Sequence, residues 1–457
     1  MADIDDSLDA RISSECPVGV QAILRAAWRH DVDAIKPLLD APGKASCRDP
    51  VTGETPLHAA IRSLGPVSED DVQEAQAEKE AQATKMVERL LYGGAIWNDV
   101  DMDNETPGCV AWRLNQKSLY DQMVRAGTRA EMLFAILDGY EELESDGDEG
   151  EDEDEDEDKE MAEAEEADGT GDGANGTNGH EAEPEPETET DAPTAEAPAS
   201  EETPYLESHL TLNDGKLVDA AGNGVMMAWE ADIMRRSVDA MLGGPPDDAA
   251  TNGKRVLNIG FGLGIIDSMI ASRQPARHHI IEAHPEVLAR IDAASSNPSA
   301  AGVDHAAAFG AAWEASSPEG GAFKVLRGRW QDFCPKLLAE GELYDAIYFD
   351  TFGEDYSELR RFFTDYIPGL LADDGVFGFF NGLGADRRVC YDVYTRVVEI
   401  HLSEAGLDVA WQDVDVPLAD DGLDKAGAGA WEGILRPYWT LDKYRLPRYD
   451  VTSDRAW

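Results

Sequence analysis

The chain has 457 residues, of which 42% are hydrophobic, so it is long enough for two or three domains with buried cores. Its net charge of −55 disfavours direct binding to nucleic acid or to anionic membranes, and it favours a basic partner. No apolar run is long enough to cross a bilayer, and the acidic N-terminus does not resemble a targeting segment. The five cysteines are far apart, odd in number and without a Cys-x-x-Cys pair, which favours free thiols and no bound metal. We therefore expect a soluble intracellular protein.

The N-terminal part, residues 1–140, contains a repeated phrase. Gly-Glu-Thr-Pro-Leu-His-Ala-Ala at 53–60 returns more loosely at 104–111, with Thr55 and Thr106 lying 51 residues apart. This phrase resembles the start of an ankyrin unit, whose period of about 33 residues leaves room for the polar insertion at 68–83. The resemblance predicts a small all-α region that binds proteins. We expect His58 to bond the neighbouring turn rather than to carry metal or protons.

The next segment, residues 141–203, is dominated by acids. Residues 141–202 contain 29 Asp or Glu residues and one lysine, which is about half of the net charge. Such a composition cannot bury enough apolar surface to offset chain entropy, so it predicts a disordered acidic linker. Two interpretations remain open, a solvated spacer and a docking surface for a basic substrate.

The remaining residues, 204–457, alternate predicted strands and helices, which indicates a doubly wound α/β fold with a parallel sheet. The predicted strands of that sheet are Val256–Ile259, His279–Glu282, Phe323–Leu326, Tyr344–Asp350 and Gly375–Phe380, with an Ala/Ser/Gly-rich insertion at 294–321. Helical spacing of apolar residues predicts helices at 359–371, ending near Asp374, and at 389–400. The last predicted strands are Val409–Val416 and Ile434–Leu441, joined by an acidic, glycine-rich excursion.

A glycine-rich turn follows the first of these strands. Gly260, Gly262 and Gly264 alternate with apolar residues, and Glu282 ends the next strand about twenty residues later. Glycines let a ligand approach backbone N–H groups at a helix start, and an acid at that distance can accept both ribose hydroxyls. A dinucleotide fingerprint would need glycine where the chain has Ile265, so S-adenosylmethionine fits better than a nicotinamide cofactor.

Two further acids are candidates for the same crevice. Asp350 ends a predicted strand, so its carboxylate would face the ligand, although it could instead cap the following helix. Glu230 lies with Trp229 and two methionines on a predicted helix at 225–234, where such residues usually belong to a core and Glu230 would be merely exposed.

Six segments resemble the guanidinoacetate N-methyltransferase family in order and spacing. They are Met226–Glu230, Val256–Gly262, Ile280–Glu282, Gly328–Asp332, Tyr348–Phe352 and Asp374–Asn381. With the N-terminal region and acidic linker, the chain is similar in particular to the fungal arginine N5-methyltransferase family. The resemblance implies a Rossmann-like S-adenosylmethionine-dependent methyltransferase sheet and methyl transfer to the δ (N5) nitrogen of arginine in a protein. It further implies a ribosomal protein as substrate. We also expect a monomeric enzyme that is present in cytoplasm and nucleus.

The resemblance also assigns roles to residues. The glycine loop through Ser268 would wrap the methionine portion of the cofactor, Glu282 would hold the ribose, and Trp330 and Gln331 would lie by the adenine. Glu230 and Asp350 would be the catalytic carboxylates that hold the guanidino group. The implied cofactor-binding residues are Tyr205, Met226, Met234, Gly260, Gly262, Leu263, Gly264, Ile265, Ile266, Asp267, Ser268, Glu282, His284, Trp330, Gln331 and Asp350. Asn258, where the small-molecule enzyme has an acid, and His284, where it has Asn, depart from the family pattern.

The carboxylates suit a guanidino acceptor, which is planar, charged and a poor nucleophile. Carboxylates bind it as a fork, and Asp350 is the better candidate to take its proton. Two other functions remain open. One is methylation of a small guanidino compound, and the other is a non-catalytic ankyrin or acidic binding protein.

Overall fold

The computed structural model describes residues 4–67, 74–144, 202–213, 215–243, 253–293, 305–416 and 431–448. Residues 1–133 and 195–457 form one compact unit, and residues 134–194 form a second. Several predictions lie wholly or largely outside the described residues: the acidic linker, the first part of the insertion at 294–321, and the excursion at 417–430. The domain boundaries expected at 140 and 203 stay predictions.

The N-terminal region is helical. Its helices are α1 (Leu8–Arg11), α2 (Val18–Trp28), α3 (Val32–Ile35), α4 (Pro56–Arg62), α5 (Glu74–Tyr92), α6 (Pro107–Arg113) and α7 (Lys117–Glu144). Helices α4 and α6 begin alike, because Thr55 and Thr106 accept the N–H of the residue three positions on and a proline follows each. The predicted helical character is confirmed, and the ankyrin assignment stays a prediction.

His58 joins the two repeated phrases. One ring nitrogen lies 2.8 Å from the Thr55 hydroxyl, and the other lies 2.9 Å from the backbone oxygen of Glu105. Burial lowers the pKa of His58 to about 3, so the ring is neutral. These contacts match the structural role expected for it.

A short antiparallel sheet precedes the main one. After α8 (Glu202–Glu207), it consists of β1 (Thr211–Asn213), β2 (Lys216–Val218) and β3 (Gly224–Met227), followed by a 3₁₀ turn at Ala228–Glu230 and α9 (Ala231–Leu242). The helix predicted over residues 225–234 is therefore wrong at its start. Met226 pairs with Leu217 in the sheet, and its ladder hydrogen bonds hold the segment extended.

The central sheet has five parallel strands in the order β6-β5-β4-β7-β8. They are β4 (Arg255–Ile259), β5 (Arg277–Glu282), β6 (Phe323–Arg327), β7 (Tyr344–Phe349) and β8 (Leu371–Phe379). The connecting helices are α10 (Ile265–Ser272), α11 (Pro285–Ala293), α12 (Ala311–Ala315), α13 (Trp330–Ala339), α14 (Tyr356–Arg361) and α15 (Ile367–Leu370), with a π turn joining the last two. This confirms the doubly wound fold, and it places the topological switch between β4 and β7, where such sheets bind ligands.

Both faces of the central sheet are covered. Val256, Ile280 and Val325 pack with α9, α10 and α11 on one face. Leu257, Ile281 and Ile347 pack with α13 and the helix after β7 on the other. Alternation along each strand thus fills two apolar layers, which holds the carboxyl ends of the strands rigidly in register.

The end of the chain differs from its prediction. After α16 (Arg388–Glu404), β9 (Ala410–Asp415) pairs antiparallel with β10 (Lys443–Arg448). The strand predicted at 434–441 is wrong: Trp431, Tyr438 and Trp439 pack around Trp229, and the pairing begins only at Lys443. Strand β8 starts earlier than predicted, at Leu371, because a register shift against β7 bulges the residues before Val376.

The N-terminal region packs directly on helix α16. Val389, Val393 and Val397 belong to the same apolar core as the N-terminal helices. A Cβ added to Gly127 would lie 2.6 Å from Val393, and one added to Gly108 would lie 2.5 Å from Val389, so the helices approach too closely for larger residues. The N-terminal helices are thus part of the structural support of this helix.

The five cysteines are free thiols, as predicted. Of the helices that the structure describes, none has both the length and the apolar character needed to cross a membrane.

Candidate active site

The glycine turn forms the floor of a pocket at the switch point. Gly260, Gly262 and Gly264 all have positive φ, at 91°, 54° and 68°. A Cβ on Gly260 would overlap the backbone oxygen of Asp350, and one on Gly262 would lie 2.7 Å from the Met226 methyl carbon. Only glycine combines this conformation with this closeness, so the turn brings its backbone against the strand ends.

The pocket is lined by residues from several predicted segments. They are Tyr205, Leu206, Val225, Met226, Ile259, Gly260, Gly262, Ile281, Glu282, Ala283, Gly328, Arg329, Trp330, Gln331, Asp350, Thr351, Phe352 and Glu354. Eight of the predicted cofactor-binding residues are among them. The pocket therefore joins the glycine turn, the ends of β5 and β7, and the start of α13.

Glu282 is tied to the glycine turn. One of its carboxylate oxygens accepts the N–H of Phe261 at 2.8 Å, and the other accepts that of His284 at 2.6 Å. Burial raises the pKa of Glu282, and these hydrogen bonds oppose the rise. The acid is thereby held at the pocket wall in one orientation, which is what a ribose-binding carboxylate requires.

Tyr205 closes one side of the pocket. Its ring lies 4.8 Å from that of Phe352 and 5.0 Å from that of His284, centroid to centroid. His284 also meets the backbone oxygen of Tyr205 at 3.1 Å. His284 itself is buried and supports Tyr205 rather than lining the pocket.

Several predicted cofactor residues lie behind the turn instead of in the pocket. Met234, Leu263, Ile265 and Ile266 are buried core residues, and the Ser268 hydroxyl donates to the backbone oxygen of Ile265 at 2.7 Å. The backbone N–H of Leu263 points at the sulfur of Met226, 3.2 Å away. These residues shape the turn that the cofactor would contact.

Asp267 belongs to a buried polar cluster under the turn. It accepts from the Asn258 amide at 2.9 Å and lies 2.9 Å from a ring nitrogen of His278. The same amide donates to the backbone oxygen of Gly260 at 2.8 Å. Asn258, which departs from the family pattern, therefore links the glycine turn to the first turn of α10.

Asp350 stands where the pocket meets a second acid. The following helix α14 is preceded by Asp355, so Asp350 does not cap it. Burial and the charge of Glu230 raise the pKa of Asp350 well above its usual range. Its Oδ2 atom is buried and has no hydrogen-bond partner among the described residues.

Glu230 is buried, with 3% of its surface exposed. Its Oε1 atom accepts the N–H of Met227 at 2.7 Å and the hydroxyl of Tyr438. Burial raises the pKa of Glu230 to about 7 against these two hydrogen bonds. No lysine or arginine of the described residues contributes to the pKa shift of either acid. Ionisation of both acids would therefore create a negative site without a compensating lysine or arginine from the described residues.

An aromatic wall, which the sequence did not reveal, stands beside Glu230. Trp431 and Tyr438 lie 6.1 and 6.2 Å from Trp229, and 4.9 Å from each other. The indole N–H groups of Trp229 and Trp431 are buried, without partners among the described residues. Aromatic faces attract guanidinium and ammonium cations, so the wall adds to the cationic preference of the acids. Its only signal in the sequence was the density of aromatic residues at 431–444.

Comparison with known proteins agrees with this geometry. Residues 206–304 match the family model described as guanidinoacetate N-methyltransferase. The chain is 56% identical to protein arginine N-methyltransferase 2 of Neurospora crassa, over 98% of this chain and 99% of the relative. It is 52% identical to the Gibberella zeae protein of that name (96% and 94% covered) and 34% identical to that of Saccharomyces cerevisiae (86% and 82%).

Solved structures are more distant. Aeropyrum pernix fibrillarin, solved with S-adenosyl-L-methionine, has a TM-score of 0.27 and 13% identity, covering 55% of this chain and 85% of that chain. The Streptomyces achromogenes O-methyltransferase TomG has a TM-score of 0.28 and 15% identity, covering 49% and 81%. The family follows from the sequence relatives: this chain belongs to the protein arginine N-methyltransferase 2 family.

Proposed function

We propose that this protein transfers a methyl group from S-adenosylmethionine to the δ nitrogen of an arginine in a basic protein. The observation that carries the proposal is the pair formed by Glu230, which is buried, and Asp350, which lines a glycine-floored pocket. No lysine or arginine of the described residues contributes to the pKa shift of either acid. Two adjoining sites of this kind suit a nucleoside donor and a cationic acceptor.

The pocket fits the donor. Glu282 would hold the ribose, the backbone of the glycine turn leaves room for the methionine portion, and Trp330 and Gln331 would border the base. S-adenosylmethionine supplies an electrophilic methyl carbon on a sulfonium. The task of the protein is then to place a nucleophile in line with that carbon and exclude water.

The acid pair fits a guanidinium better than other acceptors. A buried carboxylate is costly unless a charged or hydrogen-bonding partner accompanies it, and the charge of Glu230 adds to the cost of ionising Asp350. A planar guanidinium presents several N–H donors to both at once and remains charged at physiological pH. Its binding would allow both acids to ionise.

The hydrogen bonds of the two acids indicate a different role for each. Glu230 already accepts from Met227 and Tyr438, so it is fixed in place and suits the role of clamp. Asp350 lies in the donor pocket and its buried Oδ2 has no hydrogen-bond partner among the described residues, so it is placed to accept the proton that the nitrogen loses. Proton removal matters because a guanidinium with pKa above about 12 is a poor nucleophile.

The choice of the δ nitrogen, and of a ribosomal protein as acceptor, follows the family resemblance. The net charge of −55 supports a basic acceptor, since opposite charge accelerates encounter and strengthens weak contacts. With this acceptor we also propose action as a monomer in cytoplasm and nucleus, without direct contact to nucleic acid or membrane.

A second candidate is methylation of a small guanidino compound, favoured by the match of residues 206–304 to the guanidinoacetate N-methyltransferase model.

The experiment that separates the two candidates is methyl transfer from labelled S-adenosylmethionine to a mixture of basic ribosomal proteins and, separately, to guanidinoacetate. Fragmentation mass spectrometry then identifies the methylated nitrogen. We expect δ-methylarginine in protein. Label on guanidinoacetate alone, or ω-methylarginine, would contradict the proposal. A chain that fails to bind S-adenosylhomocysteine would be a binding protein instead.

A further inference from the structure

Asn381 is a buried amide just beyond β8, next to the strand end that carries Asp350. The N–H of Phe380 donates to the backbone oxygen of Phe349 at 3.1 Å, so the ladder between β7 and β8 continues to the residues just before Asp350 and Asn381. Asn381 is 1% exposed, and it does not line the donor pocket. It is therefore a polar side chain at the carboxyl end of the sheet that the donor site does not use.

Three hydrogen bonds hold Asn381 in one orientation. Its backbone N–H donates to the hydroxyl of Tyr444 at 2.9 Å. Its Nδ2 donates to the hydroxyl of Tyr391 at 3.2 Å and to the backbone oxygen of Arg445 at 3.4 Å. Because a backbone oxygen can only accept, the amide nitrogen must face Arg445, and the amide oxygen must point away from it.

The amide oxygen is left without a donor. Oδ1 of Asn381 is buried and has no hydrogen-bond partner among the described residues. An unpaired buried acceptor is unfavourable, so a ligand that donates a hydrogen bond to this atom would gain affinity.

The surroundings of Asn381 are those of the acceptor half of the site. Tyr391 and Tyr444 belong to the same apolar cluster as the aromatic wall beside Glu230. Burial and the neighbouring Tyr391 raise the pKa of Tyr444 well above its usual range, and the charges of Asp350 and Glu230 add to the rise. The hydroxyl that holds the Asn381 backbone thus lies within electrostatic reach of both acids.

The two acids leave part of a guanidinium without a partner. The group carries five N–H donors, while Glu230 already accepts two hydrogen bonds at Oε1. A third carboxylate would add repulsion to the acid pair, whereas an amide oxygen accepts a hydrogen bond without adding charge.

We propose that Oδ1 of Asn381 accepts a hydrogen bond from the guanidino group of the acceptor, as an uncharged third contact beside Glu230 and Asp350. The proposal rests on the proposed function, because it takes the acid pair as the acceptor site. It makes Asn381 a binding residue of that site.

The KM for the acceptor tests this contact. Asn381→Leu keeps most of the side-chain volume and removes the oxygen, so KM for basic ribosomal protein should rise by about tenfold or more, because a hydrogen bond to a charged group is lost. The contact exists in the bound substrate as well as in the transition state, so kcat should stay within about threefold. The calorimetric affinity for S-adenosylhomocysteine should change by less than about twofold, since Asn381 lies outside the donor pocket. An unchanged KM would overturn the proposal.

Tyr391→Phe is the matched control for a structural role. It removes a hydroxyl that accepts from Nδ2 of Asn381 and leaves Oδ1 in place, so KM should stay within about twofold of wild type. An equal rise of KM in both variants would mean that Asn381 only supports the fold, and this would overturn the proposal.

Asn381→Ser replaces the leucine variant should that chain not fold. A serine hydroxyl is too short to reach the same point, so the same rise in KM is expected, and an unchanged KM again overturns the proposal. A wild-type chain that transfers no methyl group to protein would contradict the proposed function itself. An active wild type with an unchanged KM in the variant contradicts only the role of Asn381.

Discussion

The donor half and the acceptor half of the candidate site are built in opposite ways. The donor half is a pocket floored by the glycine turn, with Glu282 already hydrogen-bonded to the N–H groups of Phe261 and His284. The acceptor half is closed, with Glu230 at 3% exposure, a raised pKa on both acids and an aromatic wall. The donor half is thus preorganised for its ligand. In the acceptor half, ionising both acids is unfavourable until a cation binds, and this favours a cationic acceptor over a neutral one.

The largest expected effect on cofactor binding comes from a substitution in the glycine turn of the donor half. In Gly260→Ala the added methyl would overlap the backbone oxygen of Asp350, and the residue would be held at φ 91°. Strain and overpacking of this kind each cost about 1–3 kcal/mol. Relief of this cost would displace the glycine turn that floors the pocket, so calorimetry should show the loss of most S-adenosylhomocysteine binding.

Gly253→Ala is the control for this change, because φ is 89° there and no atom of the described residues lies within 4 Å of the added carbon. This variant introduces the strain of a positive φ without the steric clash, so it measures the effect of strain alone. Equal losses of binding in both variants would mean that close approach at Gly260 does not matter.

A smaller effect is expected from the acceptor half on changing Tyr438 to Phe. The hydroxyl favours the carboxylate form of Glu230, so its removal should raise the pKa of Glu230 above about 7. Since acceptor binding needs the carboxylate, kcat/KM falls as pH drops below that pKa, and the midpoint should move to higher pH by about one unit.

Tyr444→Phe is the matched control for the pH profile. Its hydroxyl accepts the N–H of Asn381 at 2.9 Å and is not bonded to either acid. An unchanged midpoint in Tyr438→Phe, or an equal shift in both variants, would remove Glu230 from the acceptor half.

The smallest effect on turnover is expected from the N-terminal region. Gly127→Ala places a methyl 2.6 Å from Val393 and 3.0 Å from the Trp97 ring, so the free energy of unfolding should fall by about 1–3 kcal/mol. Methyl transfer well below the melting temperature should stay within about twofold. Gly19→Ala, in helix α2 with open space around it, should be neutral or slightly stabilising. Chemical denaturation checks both, and equal stabilities would contradict the contact with α16.

The same contact means that a chain lacking residues 1–203 would not separate protein methylation from small-molecule methylation. The deletion would expose Val389, Val393 and Val397 on α16. The same helix carries Tyr391, whose hydroxyl accepts from Asn381 and from the N–H of Arg445 near the acceptor half. A truncated chain would lose stability for reasons unrelated to substrate choice.

The sequence predicted the donor half far better than the acceptor half. The strand from Val256 to Ile259, the glycine turn and Glu282 are local patterns within one βαβ unit, and the structure has them within a residue or two of the expected bounds. The acceptor half joins residues near 230, 350 and 438, which no local pattern connects. The strand expected at 434–441 failed there because packing against Trp229 overrode a β-like composition. Glu354 was not predicted for the same reason, since its hydrogen bond with Trp330 joins α13 to the loop after β7 across the pocket.

The burial of Glu230 also lay beyond sequence reasoning. Its neighbours Met226, Met227 and Trp229 predicted a core face, and an acid among them was expected to point outward. The structure instead buries the acid by giving it the Met227 N–H and the Tyr438 hydroxyl. The Tyr438 hydroxyl is far from Glu230 in the sequence, so no local pattern could have predicted that Glu230 is buried.

The central claim is that Asp350 and Glu230 hold the acceptor, and that cofactor binding does not depend on the charge of Asp350 although this residue lines the donor pocket. Methyl transfer to basic protein by Asp350→Asn, measured beside the calorimetric affinity for S-adenosylhomocysteine, tests it most directly. Transfer should fall by at least about a hundredfold, because proton acceptance and one arm of the clamp are lost, while the affinity should change by less than about threefold. Full turnover in Asp350→Asn, or a loss of transfer that only mirrors lost cofactor binding, would contradict the claim.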